Sequence, residues 1–284
     1  MKKIIYIAVL LLGLSAFSYA QNVDSLANSA VEQNTSYVND SVATQVTGEL
    51  PAGKNITKAM ADSAYAKGDY AEAIEMYEYI LANQGVSAAI YYNLGNSYYK
   101  NKNIARSILN LERAHLLDPG DSDIRFNLEM AKSKAVDKVD TVNEIFITTW
   151  IKNFRNCFSS DGWGTMGIVL FVCALLLLGC YIFGKALVLK KIGFIGAIIC
   201  VIFVIISNIF AYQQKKILTE HRGAIIMEPS VTAKSTPDAG GTDLFILHEG
   251  HKVTIKDSTM KEWREIQLED GSIGWVPVQV LEVI

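Results

Sequence analysis

The sequence predicts a multidomain protein: an all-α repeat solenoid, then a two-helix transmembrane hairpin, then a small all-β barrel. Three observations predict it. Apolar and small residues recur with a period of 34 between Met60 and Leu128. Two runs, Gly162 to Phe183 and Ile192 to Tyr212, carry no charge. From Ala224 onward, short β-branched and aromatic runs alternate with turn residues. The chain has 284 residues and is 50% hydrophobic. Its mean hydropathy of +0.21 is high for a soluble protein and directs attention to membrane segments. A net charge of −3 gives no electrostatic reason to expect nucleic-acid binding.

The N-terminus begins Lys2-Lys3, continues with an apolar run from Ile4 to Leu14, and reaches Ser18-Tyr19-Ala20 before Gln21. That is the charged, apolar and small-residue order of a secretory signal peptide, assigned to residues 1–20. An uncleaved anchor is the alternative, and both readings put the next segment outside the cytoplasm. No cysteine stands at the cleavage site, which argues against a lipoprotein. Residues 21–54 are rich in Ser, Thr, Asn and Gln and lack an apolar period, so they read as a disordered tether.

The repeat comes next. Met60, Leu94 and Leu128 align at the 34-residue shift, as do Ala61 with Gly95, Tyr65 with Tyr99, Ala73 with Ser107, Tyr77 with Leu111 and Ile80 with Ala114. With Gly68-Asp69-Tyr70 in the first copy, and Tyr91, Tyr98 and Pro119 in the second, this pattern resembles the tetratricopeptide repeat. Residues 55–136 then hold two helix pairs and a capping helix, Asp123 to Ala135, with Ser122 as its N-cap. Tyr91, Leu94, Gly95 and Tyr98 share one helical stripe and are expected to pack. Tyr92, Asn96 and Tyr99 form another.

The resemblance implies a concave groove lined by the first helix of each pair. The matching positions are Lys58, Asp62 and Tyr65, then Tyr92, Asn96, Tyr99 and Lys100, a candidate peptide-binding set. Some relatives grip a peptide carboxylate with Lys and Asn there. Lys58, Asn93 and Asn96 fit that pattern in part, whereas Asp62 replaces an Asn and Asn127 a basic residue.

In residues 143–160, Phe146, Trp150, Phe154 and Phe158 recur every four positions, with Lys152 and Arg155 on other faces. This spacing predicts an amphipathic helix in the membrane interface; packing of the helix on the repeats is the alternative. The spans are 162–183 and 192–212, each long enough to cross about 30 Å of hydrocarbon. Their short link carries Lys185, Lys190 and Lys191, suited to a cytoplasmic loop. Both flanking domains then lie on the periplasmic side of a bacterial inner membrane. Cys173, Cys180 and Cys200 fall inside the spans and read as small hydrophobes. Cys157 lies outside them and reads as a buried, inert thiol, in preference to an exposed one that links two chains.

Strands are predicted at Ala224–Met227, Leu244–Leu247, Val253–Lys256, Trp263–Gln267, Gly274–Val276 and Val278–Val283, with a hairpin signal at Glu269-Asp270-Gly271. Glu249-Gly250, Trp263, Asp270-Gly271 and Gly274-Trp275-Val276-Pro277 together resemble the bacterial SH3 domain, covering 222–284. Trp263 and Trp275 are expected to fill or flank the core. Trp275 and Pro277 also match the peptide groove of eukaryotic relatives.

No catalytic, cofactor-binding or metal site is predicted. His248-Glu249-Gly250-His251 lacks the i, i+4 histidine spacing of a zinc protease helix. There is no phosphate-binding Gly loop, nucleophile turn or Cys-x-x-Cys. The full order of signal, repeats, hairpin and SH3-like domain resembles the E-type proteins of the Bacteroides aerotolerance (Bat) cluster. That resemblance implies a non-enzymatic scaffold of a cell-envelope complex, linked to aerotolerance or oxidative-stress survival. Its implied protein partners are membrane proteins with von Willebrand factor A domains or repeats. Two other readings stand beside it: binding of cell-wall peptides through the SH3-like domain, and a thiol function at Cys157.

Overall fold

A computed structural model describes residues 56–137 and 146–284. The signal peptide at 1–20 and the tether at 21–54 lie outside the described residues. The described residues fall into two compact units, which divide between Val86 and Ser87.

In the first unit, α1 (Lys58–Lys67) and α2 (Tyr70–Asn83) form a helical hairpin. Gly68 turns the chain at φ +89°, and the Asp69 N–H closes back on the Ala64 carbonyl at 3.0 Å. Ala61, Ala64, Ala73, Tyr77 and Ile80 are buried. The small residues admit the Tyr77 ring where the helices cross.

The second unit opens with the same hairpin, α3 (Ala88–Lys100) and α4 (Ile104–Leu117), followed by α5 (Ser122–Lys132). The 34-residue correspondence extends to the turn. Lys102 stands where the first copy has Gly68 and takes a left-handed φ of 65°, and the Asn103 N–H closes on the Tyr98 carbonyl at 3.0 Å. Gly95 is required for packing: a Cβ there would lie 2.7 Å from Leu111 Cγ and 3.2 Å from the Leu111 nitrogen. Tyr91, Leu94 and Tyr98 are buried as the stripe predicts. The start of α5 differs from expectation. Its N-cap is Asp121, whose carboxylate accepts from the Asp123 and Ile124 N–H groups at 2.8 and 3.2 Å. A carboxylate satisfies two orphan donors and favours the positive end of the helix, so it displaces Ser122 by one position.

Next come α6 (Phe146–Arg155), α7 (Ser160–Phe183) and α8 (Leu187–Glu220). The last two are long and apolar enough to cross a membrane. They pack as an antiparallel hairpin through small residues. A Cβ on Gly193 would meet the Leu177 carbonyl at 2.6 Å, and the Ser207 hydroxyl donates to the Trp163 carbonyl at 2.5 Å. Only Gly184 to Ala186 separate the helices, so most of the expected link is already α8. At its other end α8 runs past Tyr212 to Glu220. Cys157 is exposed, contrary to the expectation of burial, because α6 stops at Arg155 and leaves it in the turn.

The remaining residues form a seven-stranded antiparallel sheet: β1 (Gly223–Ile226), β2 (Ser230–Lys234), β3 (Asp243–His248), β4 (Lys252–Asp257), β5 (Trp263–Gln267), β6 (Ile273–Pro277) and β7 (Leu281–Val283). Their order is β3-β2-β6-β5-β4-β1-β7. Here β3 and β7 are edges, so the sheet is not a closed barrel. Strand β2 is not among the expected strands, since its Ser-Val-Thr-Ala-Lys run precedes a Ser/Pro/Gly loop and looks like part of it. Ala224, Ile226, Ala233, Leu247, Val253, Ile266 and Val276 make the core of the sheet. The two tryptophans do not fill that core. On β6 the inward residues are Gly274 and Val276, and Trp275 and Pro277 alternate onto the other face, partly buried. Trp263 stands opposite Pro277 on that face.

The left-handed lysine yields a prediction. Lys102→Gly should raise the urea midpoint of the helical region, because it relieves about 0.5–1 kcal/mol of backbone cost. Circular dichroism during denaturation measures it, and an unchanged or lower midpoint would contradict the strained turn.

Candidate functional site

The groove candidates of the first unit sit on α1. Lys58 Nζ pairs with Asp62 Oδ2 at 2.7 Å, and the Tyr77 hydroxyl donates to Asp62 Oδ1 at 2.5 Å. Asp62 therefore ties α1 to α2. Tyr65 meets Tyr70 edge to face at 5.5 Å.

On α3, Tyr92 and Tyr99 are partly buried and pack against the hydrophobic cluster that contains Leu109 and Leu128. The Tyr92 hydroxyl accepts from Asn127 Nδ2 at 2.6 Å, which pins α3 to α5. These rings thus help join α3 to the cluster that α4, α5 and β1 share. Asn96 is partly exposed and Lys100 exposed. In the sheet, Trp275 and Pro277 share the outward face with Trp263.

A second constellation has no counterpart among the sequence-based expectations. Ile108, Leu109 and Leu111 of α4, Leu128 and Ala131 of α5, Ile225 of β1 and Ile284 form one buried cluster. The repeat and the sheet therefore share a core. Strand β1 is buried on both faces: Ala224 and Ile226 enter the sheet core, while Ile225 enters the helical one. The continuous Ala-Ile-Ile run is the sequence signature of such a strand. At the β3–β4 turn Gly250 has φ +85°, and a Cβ there would reach Ile108 Cδ1 at 3.0 Å.

Polar groups fix the orientation. Glu112 of α4 is buried, yet it receives Lys252 Nζ of β4 on Oε2 at 2.7 Å and Lys132 Nζ of α5 beside Oε1 at 2.7 Å. The Lys252 contact is a hydrogen bond. The Lys132 contact is an ion pair of the same length. Burial alone would raise the carboxyl pKa, but the two ammonium groups outweigh it and lower it to about 2. Arg113 Nη2 donates to the Val283 carbonyl at 2.6 Å and pairs with Glu282 at 3.3 Å. Beyond α5, Asp137 accepts the His248 N–H at 2.8 Å and lies 2.7 Å from His248 Nδ1. His251 Nδ1 is 3.3 Å from the same carboxylate. The His-Glu-Gly-His turn, unsuited to a metal, thus grips the end of the repeat. Burial lowers the pKa of His251 and of His115, against the pull of Asp137 and Glu112 respectively. Burial pushes Asp137 up, but its hydrogen bonds and the nearby histidines leave it lowered. Among the described residues, no group of His, Cys, Asp and Glu is arranged to hold a metal ion.

Glu112 and its lysines have no local sequence signal, because three charged residues on separate elements look like solvated surface. The position one repeat earlier, Glu78, is only partly buried. What distinguishes Glu112 is the sheet laid over it.

Residues 58–123 match the tetratricopeptide repeat family. No curated protein matches the chain. Repeats of this type are protein–protein interaction modules.

The buried charges have two measurable consequences. Glu112→Gln should destabilise the second unit by about 3 kcal/mol, because two lysines lose their shared anion. Replacing the triad together (Glu112→Leu, Lys132→Met, Lys252→Met) should restore most of that loss. Urea titration followed by tryptophan fluorescence checks both, and a triple variant as weak as Glu112→Gln would sink the desolvation argument. Acid should also loosen the unit in two stages. The folded-state pKa values of His115 and His251 lie below 6.5, and that of Glu112 lies below 4.5. In each case the unfolded chain binds the proton more readily, so stability is complete above the unfolded pKa and falls as pH drops through the folded one. A melting temperature that declines below pH 6.5 and again below 4.5 is expected; a profile that stays flat on acidification through both ranges would contradict it.

Proposed function

We propose that this chain is a non-enzymatic, membrane-anchored scaffold for protein–protein interaction in a cell-envelope complex. One observation carries the reading. A tetratricopeptide-type region shares a buried core with a β-sheet, and the chain between them is an apolar two-helix hairpin. The segments before α7 and after α8 meet in that core, which supports two spans with both ends on one side. With residues 1–20 as an export signal, that side is the periplasm, and the turn with Lys185 lies in the cytoplasm.

The strand order supports the SH3-like reading of 222–284. Strand β1 lies between β4 and β7, and the β2–β3 hairpin adds to β6. Ligand capture falls to Lys58, Asp62 and Tyr65 in the first unit, and to the accessible parts of Tyr92, Asn96, Tyr99 and Lys100 and the outward Trp275 and Pro277 in the second. The hairpin keeps both surfaces near other membrane-bound proteins, so weak individual contacts suffice. The resemblance to Bat E-type proteins extends the proposal to membrane partners with von Willebrand factor A domains, and to survival of oxygen.

A photo-cross-linking residue in place of Asn96, introduced in the native bacterium, tests this reading. Adducts with von Willebrand factor A membrane proteins are expected there and not from a control at Lys261. Equal labelling at both sites, or none at Asn96, would defeat the assignment.

A further inference from the structure

Helix α6 carries a broad apolar face that nothing in the described chain covers. Phe146 is 80% exposed and Trp150 61% exposed, with Ile147 and Ile151 also open. In a water-soluble protein such a face would be expected against a core or a partner. The repeat does not supply the cover, although it lies close: a Cβ on Gly120, in the α4–α5 turn, would meet the Cys157 carbonyl at 2.6 Å.

The end of α6 is fixed to the head of the hairpin. Trp163, buried in the first turn of α7, donates its indole N–H to the Arg155 carbonyl at 2.8 Å. Phe154 packs on Trp163 at 5.6 Å and on Phe210 of α8 at 5.9 Å. Trp150 stacks on Phe154 at 5.9 Å and 12°. The level of this aromatic group can be read from α8. Just beyond Phe210 the helix turns polar, at Gln213, Gln214, Lys215 and Lys216, and Gln214 donates to the Phe158 carbonyl at 3.3 Å. The cluster therefore marks the end of the apolar stretch, where aromatic rings collect at a bilayer boundary.

We infer that α6 is a lipid-binding element that lies on the bilayer surface, with Phe146, Ile147, Trp150 and Ile151 in the acyl-chain boundary. The inference rests on α7 and α8 spanning the membrane. Its occupant is the lipid surface, because the open face of α6 continues into the aromatic ring that closes the apolar hairpin. The repeat turn at Gly120 then rests directly above the headgroups, and α6 sets its height.

The test uses the full chain in phosphatidylcholine bilayers with its four cysteines changed to serine. Single cysteines carrying a nitroxide are placed at Ile147, at Thr149 on the other face of α6, and at Ile202 in mid-α8. Collision with oxygen and with a water-soluble nickel complex is measured. The Ile147 label should be shielded from nickel and open to oxygen, at a depth of roughly 5–10 Å, while Thr149 shows the reverse. Equal nickel access at Ile147 and Thr149, with Ile202 in hydrocarbon, overturns the inference and leaves the spans standing. Shielding of Ile147 from both reagents means protein covers the face and also overturns it. Nickel access at Ile202 removes the spans and the inference together. In the chain with native cysteines, lipids brominated near the glycerol backbone should quench tryptophan fluorescence less after Trp150→Phe; unchanged quenching would again overturn it.

Discussion

The carboxylate of Glu112 is shut away from water and holds two ammonium groups, one from the capping helix and one from the sheet. A lone buried carboxylate would neutralise or turn outward. Here it stays ionised, so Lys132 and Lys252 are fixed in place, and with them the angle between α4, α5 and β4. The apolar cluster around Ile108, Ile225 and Ile284 supplies attraction without direction. The triad, the bonds from Arg113 to β7 and the bonds from Asp137 to the β3–β4 turn supply the direction. The sheet thereby covers one side of α4 and α5.

Much of the fold is legible in the sequence because it is periodic. The 34-residue shift places the helix pairs, and the stripe Tyr91, Leu94, Gly95 and Tyr98 is buried as its spacing predicts. The two long apolar helices are legible because charge is absent over lengths that no ordinary surface helix sustains. Sequence and structure part where the signal is local and short. Strand β2 is hidden beside a turn-rich loop, and the cap passes from Ser122 to Asp121, a neighbour with similar chemistry. Strand count suggests a closed barrel but does not say which edges pair.

The candidate sites are legible in type and less so in use. Tyr92 and Tyr99 belong to the second stripe of their helix, yet both pack on the shared apolar cluster and Asn127 binds Tyr92. Asp62 matches a ligand position and bonds within its own hairpin. Tyr77, which binds Asp62, and Asn127, which binds Tyr92, each stand on another helix, beyond the reach of a single helix's period. Size alone would send the tryptophans inward, whereas strand alternation sends Trp275 outward, opposite to Val276.

The strand β1 has a consequence for how the protein is made. Its Ile225 completes a core whose other half, at Ile108 and Leu109, is synthesised more than a hundred residues earlier. The whole of α7 and α8 is synthesised between those two events. Until β1 and β7 have been made, the apolar side of α4 and α5 stays unsealed and open to chaperones and proteases. The stretch made later thus protects the one made earlier.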